Sequence, residues 1–128
     1  MSKVHEINKI KKSSDVRVRS FDFSINIINH LLDVPNKPIY WSLINQLTLS
    51  ATSVGANLFE AKSSHSKKDF IRFYEIALKS ANETEYWLLL FKESNLDFDS
   101  KKIEELINES TEIAKMIAAG IITLKNKR

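Results

Sequence analysis

Apolar side chains recur every three or four residues along most of this 128-residue chain. That spacing predicts amphipathic α-helices, because residues three and four apart lie on the same face of a helix. Short polar corners divide the pattern into four segments, at about 16–32, 39–62, 67–94 and 101–125. Four helices joined by short corners predict an all-α fold, an up-down-up-down antiparallel four-helix bundle.

Polar residues at the corners give candidate helix starts. Asp15 is a plausible N-cap of the first helix. Ser66 followed by Asp69 resembles a capping box, with Asp in place of the usual Glu or Gln. The candidate caps of the fourth helix are Asp97, Asp99 and Ser100. Pro38 can occupy the first turn of the second helix, where its missing N–H has no intrahelical partner to lose.

The second helix has the most regular pattern of the four. Its apolar and small residues step alternately by four and three: Tyr40, Ile44, Leu47, Ala51, Val54, Leu58 and Ala61. Such a line along one helix face is typical of near-antiparallel bundle packing. Gly55 lies within this helix and costs about 1 kcal/mol relative to alanine. Close approach of a neighbouring helix usually offsets that cost, and both a packing notch and a dedicated functional contact fit the position.

The other three helices carry longer or doubled apolar stripes. In the first helix we expect Phe21, Ile25, Ile28 and Leu32 to face the core, with Ile27 and Leu31 beside them. The third helix has one stripe at Phe70, Phe73, Ala77, Ser80, Thr84, Trp87 and Phe91, and another at Ile71, Tyr74, Leu78, Ala81 and Leu88. The fourth has Ile103, Leu106, Ser110, Ile113, Ile117, Gly120 and Leu124, flanked by Ile107, Ala114 and Ile121. Two stripes on one helix indicate either a wide core or contact with another subunit.

Composition narrows the class of protein. Two glycines and two prolines argue against a turn-rich β fold, and the absence of cysteine excludes disulfides and thiolate metal sites. No uncharged apolar run of 18 residues occurs, so we expect no transmembrane helix and no membrane partner. The N-terminal region lacks the apolar stretch of a secretory signal. We therefore expect a cytoplasmic protein.

Charge is unevenly distributed along the chain. The formal net charge is +3 and the pI about 9.1. Residues 1–20 contribute +4 and residues 125–128 contribute +3, which leaves −4 for residues 21–124. This divides the chain into a basic N-terminal tail (1–14), a four-helix bundle (15–125) and a basic C-terminal end (126–128). Basic ends suit contact with phosphate backbones, and they are also common as solvated tails.

No catalytic constellation emerges from the residues. The sequence contains none of the Walker, GxGxxG or GxSxG motifs, and no histidine stands in Glu-x-x-His order. The histidines His5, His30 and His65 are far apart, and His65 is expected to be exposed at a corner. Glu85 lies within the second stripe of the third helix. We expect it in a structural ion pair with Arg17, Arg19 or Arg72, ahead of a role as general acid or base. The sequence predicts neither an enzyme nor a cofactor or metal site.

Residues 17–95 resemble the small four-helix-bundle proteins encoded in 23S rRNA intervening sequences of bacteria. The matching residues of the second helix are Ser50, Ser53, Asn57, Glu60 and Ala61. Those of the corner are Ser66, Lys67, Lys68, Asp69 and Phe70, and those of the third helix are Ala77, Leu78, Glu83, Thr84, Tyr86, Trp87 and Leu88. Arg19-Ser20-Phe21 and Gln46-Leu47 also fit. One departure is Leu49, where the family often has a basic residue.

The resemblance implies an assembly more than a chemistry. Relatives, including the similar Avd-type accessory proteins of diversity-generating retroelements, form ring-like homopentamers, and those accessory proteins are thought to bind nucleic acid and a reverse transcriptase. The first hypothesis is therefore an oligomer that binds structured RNA, a ribonucleoprotein or DNA through backbone electrostatics. The alternative is a protein-interaction or assembly scaffold without nucleic-acid binding. The candidate contact residues are Lys9, Lys11, Lys12, Arg17, Arg19, Lys62, Lys67, Lys68, Arg72, Lys125, Lys127 and Arg128.

Overall fold

The computed structural model of the protein describes residues 13–31 and 33–127. Within them the chain forms four α-helices and no strand. The helices are α1 Val16–Leu31, α2 Pro38–Lys62, α3 Lys67–Glu93 and α4 Ser100–Asn126. The predicted all-α four-helix fold is confirmed. None of these helices is both long and apolar enough to cross a membrane.

Side chains at the helix starts explain where three of the helices begin. An Asp15 carboxylate oxygen accepts the backbone N–H of Arg17 at 2.9 Å and caps α1. The Ser66 hydroxyl accepts the N–H of Asp69 at 3.1 Å and caps α3. Asp99 accepts the N–H groups two and three residues ahead, which identifies it as the cap of α4 among the three candidates. Each cap satisfies N–H groups that have no partner within the helix.

Contacts between successive helices fit an antiparallel arrangement. The Thr84 hydroxyl donates to Ser50 at 3.0 Å, and the hydroxyls of Ser53 and Ser80 lie 2.9 Å apart. Residue numbers therefore rise along α2 as they fall along α3. The pairs Thr111–Glu85 and Lys92–Glu104 show the same relation between α3 and α4.

The orientation of α1 corrects one prediction. Its buried residues are Ser20, Phe23 and Ile27, whereas Phe21, Ile25 and Ile28 are 56%, 36% and 48% exposed. The predicted stripe therefore faces outward, and Leu32 lies outside the described residues. Large apolar side chains project from α1 in several directions, so side-chain size alone does not show which face of the helix meets the core. Ser20 shows it, because this small residue packs against Gly55 of α2.

The remaining helices bury one continuous line each. In α2 every residue of the predicted line is buried except Ile44, which is half-buried. In α3 the buried residues come from both predicted stripes: Ala77, Ala81, Thr84, Leu88 and Phe91. In α4 they are Ile103, Leu106, Ile107, Ser110, Ile113, Ile117 and Ile121, while Gly120 and Leu124 are half-buried. Residues of both stripes of α3 therefore enter the core, as the wide-core alternative predicts.

Aromatic rings fill one end of the bundle, where α2 begins and α3 ends. The ring of Phe98 lies 5.5 Å from that of Tyr40 and 4.6 Å from that of Phe91, measured between centroids. The Tyr40 hydroxyl accepts the backbone N–H of Asp97 at 2.8 Å, so the corner between α3 and α4 is fixed to α2. We call this the closed end and define it as residues 33–43 and 90–105.

Candidate nucleic-acid interface

The other end of the bundle gathers basic residues from all four helices. The start of α1, the end of α2, the start of α3 and the end of α4 meet there, in residues 13–19, 59–72 and 120–127. We call this region the basic end. Its ranges contain eight Lys and Arg residues and three carboxylates, and Glu75 and Glu109 contact two of these cations from outside the ranges, whereas the closed end contains four Lys and six carboxylates. The cations separated along the chain are therefore brought together by the fold.

The corner between α2 and α3 forms one part of the basic end. Ser64, His65, Ser66 and Lys67 line an open depression of about 310 Å³ together with Phe70 and Leu124. The Lys67 ammonium donates a hydrogen bond to the backbone carbonyl of Lys127, which ties the start of α3 to the end of α4. His65 is exposed, as predicted.

A second depression lies between the start of α1 and the end of α2. We call it the aromatic cleft, and its lining residues are Asp15, Arg17, Val18, Phe21, Phe59 and Lys62. Its volume is about 350 Å³. The two phenylalanine side chains are 56% and 59% exposed, although α1 and α2 are in contact beneath them. Apolar rings and cations thus share one surface.

Three of the predicted cations are paired with carboxylates at the surface. Arg17 lies 3.3 Å from Asp15, and the hydrogen bonds from Arg17 lower the pKa of that carboxyl. Arg72 lies 3.8 Å from Asp69 and also covers the ring of Phe73 at 4.7 Å from its centroid. The third pair, Lys125 with Glu75, has a separation of 3.2 Å. Exposed pairs of this kind are weak, so these cations stay available to phosphate.

Arg19 has a different environment. It donates two hydrogen bonds to the Glu109 carboxylate, at 3.0 and 2.7 Å, and both side chains are largely buried at 13% and 14% exposure. These hydrogen bonds raise the pKa of the Arg19 guanidinium. The predicted ion pair of Glu85 with Arg17, Arg19 or Arg72 is wrong, since Glu85 is half-buried and accepts a hydrogen bond from the Thr111 hydroxyl at 3.0 Å. Glu109 takes the buried position because it faces α1, whereas Glu85 faces α4.

Three lysines of the basic end differ from the paired cations. Lys62, Lys68 and Lys127 are exposed and have no carboxylate within ion-pair distance among the described residues. Lys9, Lys11, Lys12 and Arg128 lie outside the described residues. Throughout the described ranges, no three histidine or carboxylate side chains are grouped to hold a metal ion. The basic end is therefore a cationic surface.

Of two properties of this surface, one could be predicted from the order of the helices and the other could not. The meeting of four helix termini follows from the antiparallel packing, and helix order alone could have indicated it. The exposure of Phe21 could not be anticipated, because the same stripe also fits a core-facing position.

A four-helix bundle with one cationic end and no metal site among its described residues defines the class of this protein. The chain belongs to the family of 23S rRNA-intervening sequence proteins, whose pattern matches residues 12–119. It is similar to a crystal structure of a protein with unknown function from the S23 ribosomal protein family of Bacteroides thetaiotaomicron VPI-5482. Sequence identity is 37% over 84% of this chain and 98% of that chain, with a TM-score of 0.77. No curated protein matches the chain.

Proposed function

We propose that this protein is a non-enzymatic, cytoplasmic nucleic-acid-binding protein that acts as a homo-oligomer. It contacts the phosphate backbone of structured RNA, alone or in a ribonucleoprotein, through its basic end. The observation that carries the proposal is the concentration of seven cations besides the largely buried Arg19 at the end where four helix termini meet, opposite an end with excess carboxylates. Family membership supports the proposal only through the family's name, which refers to intervening sequences of 23S rRNA.

The mechanism is electrostatic. Each lysine or arginine that neutralises a phosphate releases condensed counterions, so affinity depends steeply on salt. Lys62, Lys68 and Lys127 are free to make such contacts at once, and the surface-paired Arg17, Arg72 and Lys125 exchange a weak carboxylate partner for a phosphate. A surface of this kind positions a nucleic acid without reading its sequence.

Assembly into an oligomer, a pentamer by resemblance to the family, multiplies this surface. Among the described residues twelve large apolar side chains are exposed, and eleven of them belong to α1, α2 and α3. Only Ile122 belongs to α4. The chain from Pro38 to Phe59 in α2 contains no charged residue. Depletion of charge together with exposed apolar side chains is typical of a protein interface.

The same apolar surface favours a second candidate function, a protein-interaction or assembly scaffold that does not bind nucleic acid. The two functions differ in what the basic end does. In the scaffold its cations remain solvated, and the partner contacts the outer surfaces of α1 to α3.

A salt-titrated binding assay with the full chain separates the two functions. We expect binding to structured RNA and duplex DNA at low salt, with an affinity that falls linearly on a logarithmic salt scale. Mass measurement in the same buffer tests the oligomer independently. An oligomeric protein that binds neither nucleic acid at low salt would contradict the proposal and favour the scaffold.

A further inference from the structure

We propose that the aromatic cleft binds an unpaired nucleotide, with its base against Phe21 and Phe59 and its phosphate on Lys62. This inference rests on the proposed function and adds a ligand class to it, namely single-stranded or looped-out nucleotides. It extends beyond backbone contact, which treats paired and unpaired strands alike.

The local packing of α1 on α2 creates the cleft. A Cβ placed at Gly55 would lie 3.7 Å from the backbone of Ser20, so the two helices touch through small residues at this level. Phe21 follows Ser20 in α1, and Phe59 lies one turn beyond Gly55 in α2. Because the helices are close together, neither large ring enters the interface. Both rings stand at its rim and line the same depression of about 350 Å³.

Charge distinguishes this depression from the rest of the exposed apolar surface. Lys62 lines it from α2 and has no carboxylate partner among the described residues. Arg17 lines it from α1, where Asp15 holds the guanidinium in place. After Arg19 no Lys or Arg occurs in α1, and none occurs in α2 before Lys62. Exposed apolar residues farther from the basic end, such as Ile25 in α1 and Leu49 in α2, therefore have no Lys or Arg next to them in the same helix.

Aromatic faces beside cations are the usual means by which proteins hold unpaired bases. A base stacks on a ring irrespective of its identity, while lysine or arginine neutralises the adjacent phosphate. In a duplex both faces of each base are already covered by neighbouring base pairs, so the phenylalanine rings cannot stack on the bases of a paired strand. The cleft therefore predicts a preference for unpaired over paired strands, while the lysines of the corner contact both.

The test compares Phe21→Ala and Phe59→Ala with the wild type in the full-length protein. Two probes are used, a single-stranded oligonucleotide and a blunt-ended, fully paired duplex of equal phosphate number. We expect each variant to lose about tenfold in affinity for the single strand and less than twofold for the duplex. Leu49→Ala is the matched control, because Leu49 is also 59% exposed in α2, in the part of that helix that contains no Lys or Arg. We expect it to bind both probes as the wild type does.

The outcomes separate this inference from the proposed function. If the phenylalanine variants bind both probes like the wild type, the cleft is not a nucleotide site, although the basic end still binds. If they change the oligomer mass in solution and leave affinity per subunit unchanged, the cleft is a subunit contact and the inference is wrong. If the wild type binds neither probe at low salt, both the inference and the proposed function fail.

Discussion

The two ends of this bundle are formed by the same helices but differ in side-chain packing and in exposed charge. At the closed end, Tyr40, Phe91 and Phe98 pack together, and the Tyr40 hydroxyl fixes the corner between α3 and α4. At the basic end the corner between α2 and α3 consists of three serines and His65, and two depressions remain open. Packed aromatic rings thus fix the closed end, whereas the basic end leaves cations and two depressions exposed.

This difference changes the meaning of the basic pI. A pI of about 9.1 describes the whole chain, yet the excess positive charge lies at one end and the other carries more carboxylates than cations. A polarised molecule presents a stronger local field than an evenly charged one of the same net charge.

The largest stability effect is expected from the ion pair near the basic end. Arg19→Met removes the two hydrogen bonds that the largely buried Glu109 carboxylate accepts from the guanidinium, and we expect a loss of about 2 kcal/mol in the free energy of unfolding. Lys92→Met removes an exposed partner of Glu104 near the closed end, and we expect no measurable change. Urea denaturation of both variants checks this. Equal losses would show that burial of the Arg19 pair has no energetic consequence.

Smaller and similar effects are expected from one helix cap at each end. Ser66→Ala at the basic end and Asp99→Ala at the closed end each remove a side chain that accepts backbone N–H groups. We expect each to lower the unfolding free energy by about 1 kcal/mol. Thermal denaturation measures both, with the exposed Ser42→Ala as a control. An unchanged Ser66→Ala variant would mean that the corner does not depend on its cap.

The smallest expected change in the free energy of unfolding is that of replacing a glycine with alanine, and the two glycines are expected to differ. A Cβ at Gly55 would lie 3.7 Å from Ser20, an ordinary contact, so Gly55→Ala is expected to stabilise the protein by about 0.5–1 kcal/mol. At Gly120, near the basic end, a Cβ would lie 3.1 Å from the Tyr74 ring. That ring is stacked on Phe70, so Gly120→Ala is expected to gain less or to destabilise. Urea denaturation that shows a larger gain at Gly120 would contradict this packing.

Much of the fold could be predicted from the sequence because helix periodicity and capping are local. The four helices agree with the structure to within one or two residues at their described ends, and the line through α2 is buried as expected. The orientation of α1 could not be predicted, since its apolar residues fit two faces and a serine decides between them. The partner of Arg19 could not be predicted either, because periodicity does not show whether Glu85 of α3 or Glu109 of α4 lies beside α1.

The candidate site could likewise be predicted only in part from the sequence. The sequence identified its cations one by one, and the antiparallel packing gathers those of the described residues into one end. The contribution of Phe21 and Phe59 depends on which side of α1 faces solvent. That is a tertiary property, set by the contact between Ser20 and Gly55.

The central claim is that the basic end binds nucleic acid, and matched charge reversals test it most directly. Lys62→Glu, Lys68→Glu and Lys127→Glu are combined in one variant, and Lys37→Glu, Lys101→Glu and Lys102→Glu in another, so that both change the net charge equally. Binding to structured RNA is measured at several salt concentrations. The first variant is expected to bind more than about tenfold more weakly at low salt, with a shallower salt dependence. The second is expected to stay within about threefold of the wild type, because its lysines lie at the closed end. Equal losses in the two variants, or no loss in the first, would contradict the claim.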